Sequence, residues 1–447
     1  MTGISRRELG RLVGGAGAAS LTLGASSTFA IAQSAPRVVI VGGGAGGATV
    51  AHYLIKDRKP TDPQIDITLI EANPIYSSSF FSNLFLGGFR TLESLSHDYK
   101  GLSHLGIKVV HDYVTAVDTA KRTVTTRGGA TVSYDRLVLS PGMQIKYDAI
   151  AGYTAEAAKE FPHAYDTDAN GKRMLHAAME KMPDGGTFLM VMPANPFRCP
   201  PGPYERACMI AHYLKTRKPK SKLVILDPKK AFSKQPVFAE GFAKYYKGII
   251  ELNLSTDFDD FAVTELDGKA RQVKTKSGQA FKFDAANIIP NQKAGQIAIA
   301  AGLTKGDWVP INPENFTAQA AKNVYVVGDS TIASQMPKSA FSANSQGKVV
   351  AADILADLSK QEKFPPRFRN TCWSLIAPDD CVKVGANYTP KDGKLASVGG
   401  FVSQPGEPEG QRRQNYAEAV GWYAGITEDM FAKTAVSKGS GAGSSKG

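Results

Sequence analysis

Arg37-Val38-Val39-Ile40-Val41-Gly42-Gly43-Gly44-Ala45-Gly46-Gly47 is the stretch that decides the fold. Val38 to Val41 is a continuous apolar run, the pattern of a parallel strand buried on both faces. It enters a glycine turn and then a helical stretch, Ala48 to Lys56. Gly42, Gly44 and Gly47 satisfy G-x-G-x-x-G in that setting. The first glycine permits the tight turn, and the second lets a pyrophosphate approach the backbone. The third lets helix and strand pack closely, and the helix N-terminus faces the phosphates. The next strand, Ile67 to Ile70, runs into Glu71, 24 residues past Gly47, where a carboxylate can accept hydrogen bonds from ribose hydroxyls. A dinucleotide site is expected, with Gly42, Gly44, Ala45, Gly47 and Glu71 as its contacts.

Working outward, Tyr134 to Gly142 reads as a strand ending in a glycine turn that carries Ser140 and Gly142. Lys322 to Asp329 reads as a strand that presents Gly328 and Asp329 at its end. Both resemble signatures of flavoprotein disulfide reductases, the second being the motif whose Asp binds the FAD ribitol. The expected cofactor is therefore FAD. Such proteins usually insert a second βαβ domain with its own glycine fingerprint for a nicotinamide. Here Thr187 to Met192 is a good strand, but it runs into Pro193-Ala194-Asn195-Pro196-Phe197-Arg198-Cys199-Pro200-Pro201-Gly202-Pro203. A helix from about Tyr204 to Lys215 and a strand from Lys222 to Asp227 follow, so the second fold is expected to keep its shape without a nicotinamide site.

The predicted fold class is α/β: two Rossmann-like dinucleotide-binding domains of the flavoprotein disulfide-reductase type plus a small C-terminal α+β domain. The expected boundaries are 36–150 with 285–358 for the FAD domain and 151–284 for the second fold. Residues 359–432 form the C-terminal domain, and 433–447 a Gly/Ser-rich flexible tail. Ser342 to Leu358 and Tyr416 to Phe431 are predicted helices. Residues 1–32, with Arg6-Arg7, a weakly apolar stretch and Ala30-Ile31-Ala32, form a twin-arginine export signal, which places the mature protein in the periplasm.

Composition narrows the alternatives. The 447 residues include 53 Lys+Arg against 41 Asp+Glu, a net charge of +12. The basic residues are scattered without interleaved aromatics, so nucleic acid is not an expected partner, although the positive excess suits docking to an acidic protein. No apolar run of about 18 residues lies beyond the N-terminal segment, so no membrane insertion is expected.

Four cysteines occur, Cys199, Cys208, Cys372 and Cys381. The spacing suits no structural zinc site, so no metal is expected, and without C-x-x-C-H the chain carries no c-type haem. Three fully paired connectivities are open, and residue chemistry alone does not choose among them.

The segments Phe197 to Arg206, Met336-Pro337-Lys338-Ser339 with Ser342 to Gly347, and Asn370-Thr371-Cys372-Trp373-Ser374 resemble the flavoprotein subunit of flavocytochrome c sulfide dehydrogenase. That group includes the periplasmic flavoprotein of the Sox sulfur-oxidation system. The resemblance runs from about Arg37 to Phe431. It implies a redox-active Cys199–Cys372 disulfide over the flavin, with Glu205 close by and Trp422 shielding the flavin. Glu205, six residues past Cys199, is the nearest candidate in sequence for a catalytic proton carrier. It adds Asn83 and Lys338 to the cofactor contacts and a c-type cytochrome subunit as partner. One position departs from the family: Ser79 stands where the best-known members have a flavin-linking cysteine. A hydroxyl is a poor substitute for a thiolate, so FAD is expected to be held non-covalently.

The activity implied is oxidation of sulfide, or a related reduced sulfur species, with electrons leaving through FAD to the cytochrome. Two alternatives are a sulfide:quinone oxidoreductase-like enzyme, and a non-catalytic Sox flavoprotein that maintains other Sox proteins by thiol chemistry. A bridge between Cys208 and Cys381 stays open.

Overall fold

The computed structural model describes residues 35–434, apart from residue 257. The twin-arginine segment lies outside the described residues, as do residues 435–447. In chain order the main elements are β1 (Arg37–Val41), α1 (Gly47–Lys56), β2 (Asp66–Ile70), β3 (Lys108–Val110) and β4 (Arg136–Leu139). Next come β5 (Thr187–Val191), α2 (Gly202–Arg217), β6 (Lys222–Asp227), α3 (Gln235–Tyr245), β7 (Ile250–Leu254) and β8 (Ala285–Ile288). The chain ends with β9 (Val324–Val326), α4 (Ala340–Leu358), β10 (Phe368–Ala377), β11 (Asp380–Lys391), β12 (Lys394–Val402) and α5 (Glu409–Phe431).

Two parallel sheets result. The first has the order β9-β4-β1-β2-β3 and the second β7-β6-β5-β8. Val38, Val39, Ile40, Leu137, Val138 and Leu139 are all fully or almost fully buried, which is why these strands read as unbroken apolar runs rather than alternating ones. Each sheet is accompanied by a three-stranded antiparallel meander, within 114–133 and 263–282. Where the chain passes between the folds, Met143–Ile145 pairs antiparallel with Gln292–Ala294. The last three strands, β10-β11-β12, form an antiparallel sheet.

Three expected boundaries shift. Residues 285–288 were expected in the first fold, but β8 pairs with β5 in register Phe188↔Ala285, so the return comes only after it. All four β8 residues are buried, and such a run fits either parallel sheet. Helix α5 begins at Glu409, well before Tyr416. Its first turns are polar because Arg412 is buried in ion pairs with Glu240, Asp380 and Glu407, each at 2.9 Å, so no apolar periodicity marks them. Lys433 was expected in the tail, yet its Nζ donates to Thr427 Oγ1 at 3.0 Å.

Candidate active site: a dinucleotide cavity with a cysteine in its wall

The glycine turn is built by close backbone approach. Gly42 has φ +98°, and a Cβ there would lie 2.3 Å from Ser140 O. A Cβ on Gly47 would lie 2.0 Å from Gly42 O. Glu71 closes the turn, with Oε2 accepting from Gly43 N at 2.7 Å and Oε1 from Asn73 N at 2.9 Å. The resulting cavity, of about 310 Å³, is lined by Gly42, Gly44, Ala45, Glu71, Ser140, Gly142, Gly328 and Asp329 on one side. Ser79, Asn83, Cys199, Gly202 and Arg206 close the other.

FAD fits these residues. Asp329 is 8% exposed, and its Oδ1 has no hydrogen-bond partner among the described residues. Burial raises its pKa, leaving a carboxyl directed at the cavity that a sugar or ribitol hydroxyl would satisfy. Ser79 Oγ donates to Asp166 O at 3.2 Å beside the cavity. Behind it, Lys172 donates to Ser77 O, Asp166 O and Asp168 O at 3.3, 2.8 and 2.6 Å, and burial lowers its pKa to about 7.

Cys199 stands where the proline-laden loop meets α2. It has φ +60°, and its amide donates to Lys338 O at 2.7 Å. A non-glycine residue held in the left-handed region is strain of the kind that gathers at functional sites. Cys372 is on β10, where Asn370 Nδ2 donates to its Sγ at 3.5 Å. Asn370 is itself held by Ser339 Oγ at 2.5 Å and Ser342 Oγ at 3.2 Å, both at the start of α4. All four cysteines are free in this structure, so the expected Cys199–Cys372 bridge is not made in it. Burial raises the pKa of both Cys199 and Cys372, and the neighbouring Cys372 raises Cys199 further. Cys208 and Cys381 are buried and likewise free.

Glu205 lies on the first turn of α2. Its Oε2 accepts from Asn83 Nδ2 at 2.7 Å and its Oε1 from Leu375 N at 2.8 Å. Asn83 Oδ1 in turn accepts from Arg206 Nε at 3.0 Å. Burial raises the Glu205 pKa despite these donors, and its charge in turn raises both thiols.

Some expected contacts lie behind the wall. Gly47, Glu205, Cys372, Lys338 and Trp422 are not among the lining residues. Gly47 serves helix–strand packing instead. Lys338 is directed to carbonyls, donating to Asp329 O at 2.9 Å and Thr331 O at 2.6 Å, over the Trp308 ring. Trp422 packs on Phe80, Phe341 and Trp373 at ring separations of 5.6, 5.9 and 5.4 Å, and it is Phe80 that reaches the cavity. Sequence reading missed Lys234, whose Nζ donates to Cys372 O at 3.2 Å, Ser374 Oγ at 2.8 Å and Val382 O at 3.4 Å. No motif surrounds it, so no sequence signal could have found it.

Paired dinucleotide folds, a C-terminal sheet and this cavity define a flavoprotein of the disulfide-reductase type. Residues 36–177 match the pyridine nucleotide-disulphide oxidoreductase family. Residues 172–290 match the central part of the sulfide dehydrogenase [flavocytochrome c] flavoprotein chain, and residues 364–431 match the flavocytochrome c sulphide dehydrogenase flavin-binding family. The chain is 49% identical over 47 residues to the sulfide dehydrogenase [flavocytochrome c] flavoprotein chain of Chlorobaculum thiosulfatiphilum, covering 10% of this chain and 90% of that one. It belongs to this flavoprotein-chain family and binds FAD.

More distant relatives include the mitochondrial sulfide:quinone oxidoreductase of Dictyostelium discoideum, 24% identical over 72% of this chain and 71% of that one. The sulfide-quinone reductase of Aquifex aeolicus is 25% identical over 77% and 82%. The solved structure of the sulfide:quinone oxidoreductase from Aquifex aeolicus superposes with a TM-score of 0.65 at 17% identity, covering 88% of this chain and 92% of that one. Putidaredoxin reductase, in its covalent complex with putidaredoxin, gives 0.62 at 18%, covering 89% and 98%.

Proposed function

We propose that this FAD oxidoreductase acts on sulfide through Cys199 and Cys372, cycling them between dithiol and disulfide, and that its electrons leave to a c-type cytochrome on a separate chain. The observation that carries the reading is the meeting of two cysteines from different parts of the chain beside the FAD cavity. Cys199 belongs to the cavity wall, half-buried Cys372 lies near it, and buried Glu205 and Lys234 act on both. Hydrosulfide attacks the disulfide, leaving a persulfide on one sulfur and a thiolate on the other. A second hydrosulfide takes the outer sulfur away as HSS⁻ and leaves both cysteines reduced, and FAD, when bound, would supply the two-electron acceptor that restores the disulfide. Pro200, Pro201 and Pro203 stiffen the Cys199 loop, which limits the freedom lost on reaching the reactive geometry. Glu205, with its pKa raised by burial, is the acid placed to hold or release the proton, an effect of about 10²–10⁴-fold in rate.

Ser79 on the cavity wall leaves FAD without a covalent link, and the reading includes export to the periplasm by residues 1–32. A quinone acceptor is the second reading, favoured by the relatives named as sulfide:quinone oxidoreductases. Against it, α5 carries charged residues in both its first and last turns, and among the described residues no helix is long and apolar enough to cross a membrane.

One preparation tests the reading. Sulfide should bleach the flavin of the wild type, while Cys199→Ser and Cys372→Ser should each abolish bleaching with FAD still bound. Acid precipitation should release the FAD into the supernatant. Electrons should pass to cytochrome c rather than to a soluble quinone. Bleaching at the wild-type rate by either serine variant would reduce the cysteines to a structural pair.

A further inference from the structure

Lys234 is 6% exposed, and its three acceptors are all neutral: two carbonyls and a hydroxyl. Among the described residues no carboxylate forms an ion pair with it. A buried ammonium with no ion-paired carboxylate is costly, and burial accordingly lowers the Lys234 pKa. The residue also sits on a backbone at φ +62°, a conformation disfavoured for a long side chain. Two independent costs therefore converge on one residue in the thiol pocket.

The surroundings explain how it is held there. In an ordinary dinucleotide fold, the acid at the end of the second strand faces the cofactor ribose. Here that acid, Asp227, is fully buried, taking Tyr204 Oη at 2.5 Å and Lys229 Nζ at 2.7 Å. Phe232 stacks on Tyr204 with ring centres 3.6 Å apart. The segment after β6 is thus fastened into the would-be cofactor site, and it delivers Lys234 to the cysteines.

Cys372 and Ser374 are two apart on β10 and share a face of the strand. An ammonium bonded to Ser374 Oγ therefore lies beside Cys372 Sγ. The titratable groups that face it are Cys372, Cys381, Glu205 and Cys199.

We propose that Lys234 is a positioning residue that holds the negative charge on Cys372 when the Cys199–Cys372 disulfide is opened, so that Cys372 leaves as thiolate and Cys199 carries the persulfide. This rests on the disulfide cycle proposed above. In the step, HS⁻ forms a new S–S bond to Cys199 Sγ while the Cys199–Cys372 bond breaks, and the electron pair of that bond ends on Cys372. The sulfide sulfur is oxidised, Cys372 is reduced, and the proton stays on the terminal sulfur. Cys199, on the cavity wall, is the sulfur an entering nucleophile meets. Cys372 Sγ has the Asn370 amide as a donor, and Lys234, bonded to the carbonyl of the same residue, lowers its pKa through its charge.

The test is single turnover: the oxidised holoprotein receives one equivalent of sulfide, is quenched with an alkylating agent, and peptide mass spectrometry locates the added sulfur. It is expected on the Cys199 peptide in the wild type and scattered between both peptides in Lys234→Met. In that variant the midpoint of the pH profile for sulfide-driven bleaching should rise by about one unit, about tenfold in thiolate population at fixed pH. Lys234→Arg should restore both behaviours. Should Lys234→Met fail to retain FAD, Ser374→Ala, which removes the hydroxyl that aims Nζ, should move both readouts the same way by less. Persulfide on Cys372 in the wild type, or an unmoved distribution and pH profile in these variants, overturns the inference. Full bleaching by Cys372→Ser would instead overturn the disulfide cycle itself.

Discussion

The two dinucleotide folds of this chain share a plan, parallel strands with helices between them and an antiparallel meander alongside, and they diverge at one turn. In the first, the β1–α1 turn is glycine, and its closest approaches leave no room for a Cβ at Gly42 or Gly47. The acid at the end of the second strand, Glu71, stays at the cavity edge. In the second, the turn is proline-laden, the matching acid is buried under Tyr204 and Lys229, and the space beside it is taken by a stacked ring pair. The difference teaches that a cofactor fold can keep its sheet while its binding end is converted to carry chemistry, since sheet stability comes from buried strands and not from the turn.

The largest way to break the comparison is at the first turn. Gly47→Val should abolish FAD binding, because a Cβ there meets backbone rather than a side chain that can give way. Absorbance of the purified variant checks this, and a full flavin spectrum would show that the turn is not the cofactor cradle. Next, neither NADH nor NADPH should bleach the flavin on the timescale at which sulfide does. Rapid bleaching by either would show that the second fold still takes a nicotinamide.

A smaller effect sharpens the picture of the filled site. Tyr204→Phe removes a donor from fully buried Asp227, and denaturant unfolding should register a loss of about 1–3 kcal/mol. An unchanged midpoint would mean that the acid needs no fastening there.

The smallest effect concerns how α5 is held. On the second fold's side Arg412 pairs with three carboxylates. On the first fold's side His97 packs on Phe431 and bonds Tyr423 Oη at 2.9 Å. Burial, helped by Lys433, lowers the His97 pKa from 6.5 to about 4. The unfolded chain then binds a proton near pH 6.5 that the native chain refuses. Stability is therefore lost as pH falls from about 6.5 to about 4, by roughly 1 kcal/mol after solvent screening. His97→Phe should flatten that part of the pH–stability curve, and an unaltered slope would assign it to other groups.

The β1 run, the glycines after it, Glu71 and the Gly328-Asp329 turn were legible because each is a local feature: a strand period, a turn without Cβ atoms, an acid at a strand end. The absence of a G-x-G-x-x-G fingerprint after Met192 was legible in the same way, and Cys199, Glu205 and Cys372 stood in segments recognisable by resemblance. The placement of β8 was not legible, because a short apolar strand fits either parallel sheet. Lys338 and Trp422 stood in recognisable positions, but the neighbours that take them, Trp308 and two carbonyls for one and an aromatic cluster for the other, come from distant parts of the chain.

The sequence by itself thus determined the fold class, the FAD cradle and the loss of the second glycine turn. Only the tertiary structure decided that Ser339 and Asn370 support Cys372, that Asn83 and Leu375 hold Glu205, and that Lys234 brings a buried amino group to the thiols. The physical reason is range: strand burial and turn conformation are set by residues a few positions apart, whereas a thiol's electrostatic surroundings are assembled across 138 positions between Lys234 and Cys372.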